Sequence, residues 1–268
     1  MKNIPQVLHL FWYRNKPLSF LRYLTAKSFA EVNPNWKIKV YFTSETTIFD
    51  DPWPSEDTRI DIPDHFEKLR EIPNTDLIPV EPNKGMGPVH FSDLFRIEIL
   101  KQEGGLWSDF DILYLKSMET LDFPEKEVYL CYHYGYHSIG FMMAVKNSSV
   151  FKVLSNSVKK NFKSEQYQCI GSFLYNEFID IECDSIYNMP FHHVYPYKSS
   201  DISDFFVKDK KFCSDTIGVH WFAGARVAAP VEDQIVSFNR IKDYPYQDSA
   251  VVRILKDCEV KYGCTASL

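Results

Sequence analysis

Hydrophobic and polar positions change period twice within the first eighty residues. Gln6 to Trp12 is a compact apolar run with little alternation, which suits a strand covered on both faces. From Leu18 the apolar residues recur at helical spacing until the stop signal Asn33-Pro34, and Trp36 to Phe42 then reads as a second strand. This is the opening of a βαβ unit, for which a right-handed crossover is expected. Thr43 to Asn74 is rich in Pro and Asp and predicts loops with a short helix near His65 to Glu71, followed by a strand at Asp76 to Val80. Ser92 is placed to cap a helix through DLFRIEILKQE that stops at Gly104-Gly105, and Leu106 to Phe110 follows as a short strand. Further strands are predicted at Val128 to Tyr132, Ile139 to Val145 and Thr216 to Phe222, with helices at Ser149 to Phe162 and Cys169 to Ile179. The alternation predicts a three-layer α/β sandwich around a mixed, mostly parallel sheet. A length of 268 residues suits one domain spanning 1–268.

Composition changes this picture little. The formal charge of -6 argues against nucleic acid as a partner, because polyanions are gripped by clustered Lys and Arg. Six cysteines show no CxxC pair or zinc-finger spacing, so reduced structural thiols and a cytoplasmic location are expected. No run approaches the roughly 20 apolar residues of a spanning helix, which leaves peripheral membrane contact open. Aromatic residues reach 16%, which fits a packed core and also stacking on bases or sugar rings.

The chemistry concentrates in Ser92 to Leu115, SDLFRIEILKQEGGLWSDFDILYL. Asp93 and Arg96 lie one helical turn apart. Asp109 and Asp111 close the following strand, where residues two apart face the same way and Phe110 packs behind them. Two converging carboxylates suit Mg²⁺ or Mn²⁺, hard cations that keep positions open for phosphate oxygens. In contrast, His192-His193 with Tyr195 lacks metal-ligand spacing and reads as structural or surface. His133 and His137 are interrupted by Gly135, which argues against a helical metal pair.

The opening IPQVLHLFW, the segment NPNWKIKVYF, the block SDLFRIEILKQEGGLWSDFD and the late VHWFAGA together resemble glycosyltransferase family 32. Its kin include capsular polysaccharide transferases and clostridial toxin glucosyltransferase domains. The resemblance spans residues 4 to about 225 and is dense only from 90 to 115. It implies a Rossmann-like GT-A fold, a nucleotide-sugar donor (a UDP-sugar before a GDP-sugar), a divalent cation and transfer of a hexosyl group to a glycan hydroxyl with retention. Retention itself leaves open a covalent enzyme intermediate or same-face attack within an ion pair.

Carried over residue by residue, Trp12 resembles the aromatic that stacks on the donor base. Asp93 and Arg96 resemble the helix pair that contacts donor sugar, ribose or phosphate. Asp109 resembles the acid nearer the ribose, Asp111 the direct metal ligand, and His220 a late histidine that completes the metal shell. His-Trp stands where the toxin-like pattern has a Ser-x-Trp lid, which leaves the third ligand open. Trp221 and Arg226 are candidates to close over the donor, and Arg226 suits a diphosphate. On the acceptor side the candidates are His137, Ser138, Gly171 and Ser172. Two other readings remain: a sugar nucleotidyltransferase, which would need a basic phosphate-gripping loop that NKPLS and PNKGMGP supply only sparsely, and an inactive glycan- or nucleotide-binding module.

Overall fold

The structure is a computed structural model that describes residues 3–44, 61–83 and 85–262. Residues 45–60 of the loops expected over Thr43 to Asn74, together with Lys84 and Cys264, lie outside the described residues. The chain opens with β1 (Val7–Trp12), α1 (Phe20–Val32) and β2 (Lys37–Phe42), the expected unit. β3 (Thr75–Pro79), α2 (Pro88–Gln102), β4 (Gly105–Ser108) and β5 (Ile112–Tyr114) follow. Next come β6 (Val128–His133), β7 (Tyr136–Ala144), α3 (Ser149–Asn161), α4 (Ser172–Phe178) and β8 (Ile186–Asn188). The chain continues through α5 (Ser203–Val207), β9 (Gly218–His220), α6 (Ala229–Gln234) and α7 (Ala250–Tyr262).

Seven strands form one mixed sheet in the order β3-β2-β1-β4-β7-β6-β8, and β5 pairs with β9 in a separate antiparallel ribbon. From β3 through β4 the neighbours are parallel, while β7 runs antiparallel to both β4 and β6. Strand periodicity explains why both faces are covered. Leu106, Phe141, Met143 and Tyr129 pack on the α1 side, whereas the intervening Trp107, Met142, Ala144 and Leu130 pack beneath α2, α3 and α4. Each of the Leu, Phe and Met side chains among them, fully buried, contributes about 1.5–3 kcal/mol.

Helix boundaries follow local chemistry. Ser19 caps α1 by accepting from the Arg22 backbone N–H at 3.3 Å. Asn33 ends the helix, and its side-chain oxygen accepts from the Met118 N–H at 2.7 Å. α2 begins four residues before the expected cap: Pro88 occupies its first turn, where a missing N–H costs nothing. Ser92 therefore lies inside the helix, where its carbonyl and hydroxyl serve Arg96 instead. α7, with β-branched Val251 and Val252 near its start, is not legible from propensity. Burial of Val251, Val252, Leu255 and Cys258 against the C-terminal core decides it.

The Gly104-Gly105 stop is a steric requirement. Both residues have positive φ (68° and 95°), and a Cβ on Gly105 would sit 2.6 Å from the Val7 carbonyl oxygen. This approach lets β4 join β1. Just beside it, His9 is fully buried, with Nε2 2.9 Å from the Gly104 carbonyl and Nδ1 3.2 Å from the Tyr41 hydroxyl. Burial lowers the His9 pKa to about 4. The sheet reverses here, since the chain leaves β1 toward β2 and β3 and returns on its other side as β4. In open α/β sheets the crevice at such a reversal, beyond the carboxyl ends of the strands, is where ligands bind.

Gly105→Ala should lower stability by at least about 2 kcal/mol, since it adds both an unfavourable φ and a clash. A urea midpoint shift equivalent to less than about 0.5 kcal/mol would contradict the steric account. For His9 the folded pKa lies below the unfolded 6.5, so its contribution is complete above pH 6.5 and is lost as pH falls toward 4. The loss should be of order 3 kcal/mol across that window. Urea unfolding of wild type and His9→Gln at pH 7, 5.5 and 4 reads it as a difference in slope, and parallel slopes would exclude it.

Candidate active site

The strand predicted to carry the acid pair ends earlier than expected. β4 stops at Ser108, and Asp109, Phe110 and Asp111 form the turn into β5. The reason is topological: β4 belongs to the main sheet and β5 to the ribbon, so the chain must turn between them. The Asp109 N–H donates to the Gly140 carbonyl at 2.8 Å, and the Asp111 carbonyl accepts from the Trp221 N–H at 2.9 Å. Phe110 packs edge-on against Trp12 with ring centroids 5.8 Å apart. The expected convergence is nonetheless present. Ligand atoms of Asp109, Asp111 and His220 all lie within 4.8 Å of one another.

His220 reaches the pair because β9 pairs with β5, placing His220 opposite Ile112. Its Nε2 lies 3.1 Å from Asp111 Oδ1, and the Ala223 N–H donates to Asp111 Oδ2 at 2.9 Å. Burial opposes the Asp111 charge. His220, Arg22 and the Ala223 N–H outweigh it and hold its pKa below the ordinary carboxylate value. Gly140 keeps this space open, since a Cβ there would lie 2.9 Å from Asp109 Oδ2 and 3.0 Å from His220 Nε2. Two carboxylates and an imidazole around a space that one methyl group would fill form a donor set fit for a divalent cation.

Behind the acids, Arg96 is buried and donates to the Ile139 carbonyl at 2.8 Å. Its Nη2 lies 3.2 Å from Asp93 and 3.5 Å from Asp109, and its carbon stands 5.0 Å over Trp107. Burial works against its charge, but Asp109 and Asp93 overcome that and raise its pKa above the ordinary arginine value.

Two cavities meet at the acid turn. The smaller is lined by Trp12, Tyr13, Lys16, Arg22, Asp93 and Arg96, and the larger, about 830 Å³, by His137, Ser138, Ser172, Tyr195 and His220. Asp109, Asp111, Ile139 and Gln168 belong to both walls. The structure thus gathers Trp12, Asp93, Arg96, Asp109, Asp111 and His220, and sets His137, Ser138 and Ser172 across from them. Gly171 lines neither cavity. It precedes α4 and lies against Asp93, whose Oδ2 would be 2.6 Å from a Cβ at that position. Trp221 is fully buried and Arg226 exposed, and neither lines either of these two cavities.

Sequence reading missed Arg22, Lys16, Gln168 and Gly140. Arg22 stands 5.1 Å over Trp12 and 5.7 Å over Trp221, with its Nε 3.2 Å from the fully buried Glu232. A charge on the apolar stripe of α1 and a glycine within a strand were the available signals.

The capsular polysaccharide synthesis protein family matches residues 67–218, more than half of the chain. The chain belongs to this family. Its members are glycosyltransferases, in agreement with the resemblance read from the sequence. The chain is also similar to the PaToxG glycosyltransferase, at 17% identity over 65% of this chain and 67% of that one, with a TM-score of 0.48. It is similar to the galactosyltransferase LgtC solved with donor and acceptor sugar analogues, at 13% identity over 69% and 74% of the two chains and a TM-score of 0.41. A third similar structure is the apo-form glycosyltransferase GlyE of Streptococcus pneumoniae TIGR4, at 15% identity over 96% and 64%, with a TM-score of 0.45. None of the curated proteins matches the sequence. In this glycosyltransferase no described helix is long and apolar enough to cross a membrane.

If Gly140 preserves room for a cation, Gly140→Ala should weaken Mn²⁺ binding at least about tenfold, the scale of loss when a metal's surroundings are disturbed. Calorimetric Mn²⁺ titration alongside thermal melts tests this, and unchanged affinity in a folded variant would refute it.

Proposed function

We propose that this glycosyltransferase moves a hexosyl group from a nucleoside-diphosphate sugar, a UDP-sugar before a GDP-sugar, to a glycan hydroxyl with retention of configuration. The observation that carries the reading is the shared wall. Asp109 and Asp111 border both cavities, so a donor on the Trp12 side and an acceptor on the His137 side would meet only there.

Asp109, Asp111 and His220 would hold Mn²⁺ or Mg²⁺, which supplies Lewis-acid neutralisation of the departing diphosphate. The chain's own groups do the rest. Trp12 and Tyr13 offer aromatic surface for the base, and Lys16 and Arg22 bring positive charge to the cavity that takes the diphosphate. Asp93, steadied by Arg96, presents a carboxylate to sugar hydroxyls. On the acceptor side, burial lowers the His137 pKa to about 4, so its imidazole is neutral near pH 7 and can hydrogen-bond an incoming hydroxyl without charge.

Retention by same-face attack within an ion pair is favoured over a covalent intermediate. Among the described residues, the carboxylates on the two cavity walls are Asp93, Asp109 and Asp111. Asp93 and Asp109 are paired with Arg96, and Asp111 is held by His220 and Ala223.

The test is a panel of UDP- and GDP-sugars incubated with Mn²⁺ and scored for hydrolysis without acceptor. One donor should be consumed, and chelator or Asp111→Asn should reduce the rate by at least about 100-fold, the scale for losing a group that stabilises the departing charge. Near-wild-type turnover in a folded Asp111→Asn variant, or in chelator, would overturn the metal-assisted reading.

A further inference from the structure

A second convergence of ligand atoms lies outside both cavities. His192 and His193 form a 3₁₀ turn with Phe191, and Asp215 lies in the turn before β9. Their ligand atoms fall within 4.8 Å of one another. Nε2 of His192 lies 2.9 Å and Nε2 of His193 3.6 Å from the same oxygen, Asp215 Oδ2.

The hydrogen bonding at His193 points to what belongs between them. Its Nδ1 is 2.9 Å from the Pro190 carbonyl, which can only accept, so in the neutral ring the proton sits on Nδ1 and Nε2 presents its lone pair. That lone pair faces a carboxylate oxygen. Two acceptors turned toward each other repel unless a cation, a ring proton or a metal ion, lies between them. The backing carbonyl is also the outer partner that metal-ligating histidines commonly have, fixing both tautomer and ring direction. The rings are held in place, with His193 edge-on to Phe123 at 5.1 Å and the two imidazoles stacked at 4.7 Å and 21°.

We propose that His192, His193 and Asp215 bind a zinc-type divalent ion. Two imidazoles and one carboxylate are a borderline donor set that suits Zn²⁺ better than Mg²⁺ or Ca²⁺, which seek oxygen. This separates the site from the oxygen-richer set at Asp109, Asp111 and His220. The two segments it would join already touch: Thr216 Oγ1 donates to the His192 carbonyl and the Ile217 N–H to the His193 carbonyl, both at 2.9 Å. Three residues further along, in β9, the His220 N–H donates to the Val194 carbonyl at 2.8 Å. An ion at this position therefore clamps the 191–193 turn to the segment that delivers His220, and its role is to steady that strand.

The probe is ZnCl₂ added to metal-free protein, followed by calorimetry and thermal melts, with Asp215→Asn and His192→Gln as variants at partly exposed positions. Wild type should bind zinc and melt at a higher temperature. Both variants should lose that affinity at least about tenfold, the scale for disturbing a metal's ligand set, while keeping their zinc-free melting temperature and Mn²⁺-dependent donor hydrolysis. Asp111→Asn should retain this zinc. Wild-type zinc affinity in both variants, or none in wild type, would overturn the site and leave the transfer reading untouched. Loss of donor hydrolysis in Asp111→Asn bears only on the latter.

Discussion

Two carboxylates in one buried turn repel each other, and the arrangement of the site follows from how that repulsion is met. At separations under 5 Å the cost is roughly 3–4 kcal/mol at the effective dielectric of a partly buried pair. Asp109 faces Arg96, itself fixed by the Ile139 carbonyl and by Asp93. Asp111 faces His220 and receives the Ala223 N–H. Each counter-group comes from a different element: α2, the end of β9 and the loop beyond it. The acid turn thus joins the main sheet to the β5–β9 ribbon, and the C-terminal core that supports the ribbon serves the site as well as stability.

Much of this frame was legible in the chain. An unbroken apolar run located β1, because burial on both sheet faces leaves little alternation; the 3.6-residue period located α1, β2 followed its stop signal, and the Gly-Gly stop marked the end of α2. Asp109 and Asp111 were found as a pair, although for a reason that proved incomplete: strand alternation was expected to align them, whereas a turn does so. Spacing alone does not distinguish the two geometries, and what decides is the pairing of β5 with the distant β9. Contacts spanning a hundred residues leave no local trace, which is also why Arg22, anchored by Glu232 some 210 positions away, escaped notice.

Glycines around the site were legible only in part. Gly104-Gly105 was read as a helix stop, and its deeper role is the approach of β4 to β1 that sets Trp12 and Asp109 at one edge of the sheet. Gly140 and Gly171 each lie where a methyl group would press on an acid of the site, Asp109 for one and Asp93 for the other. Their value is the absence of a side chain against a partner distant in sequence, and no motif encodes it.

Backbone strain points to the same place. Among the described residues, five other than glycine have positive φ, and two of them, Asn74 and Asn147, are of a type that tolerates it. The other three are Tyr134, Gln168 and Phe222, at 53°, 56° and 51°, and all three line the larger cavity. Each costs about 1–3 kcal/mol in this conformation. Phe222 immediately precedes the N–H that holds Asp111, and Gln168 stands on the wall shared by both cavities. Strain distributed at random would not single out one cleft, so the surrounding fold, with β6–β7, α4 and the C-terminal core as its supports, holds this backbone in shape for what the cleft receives.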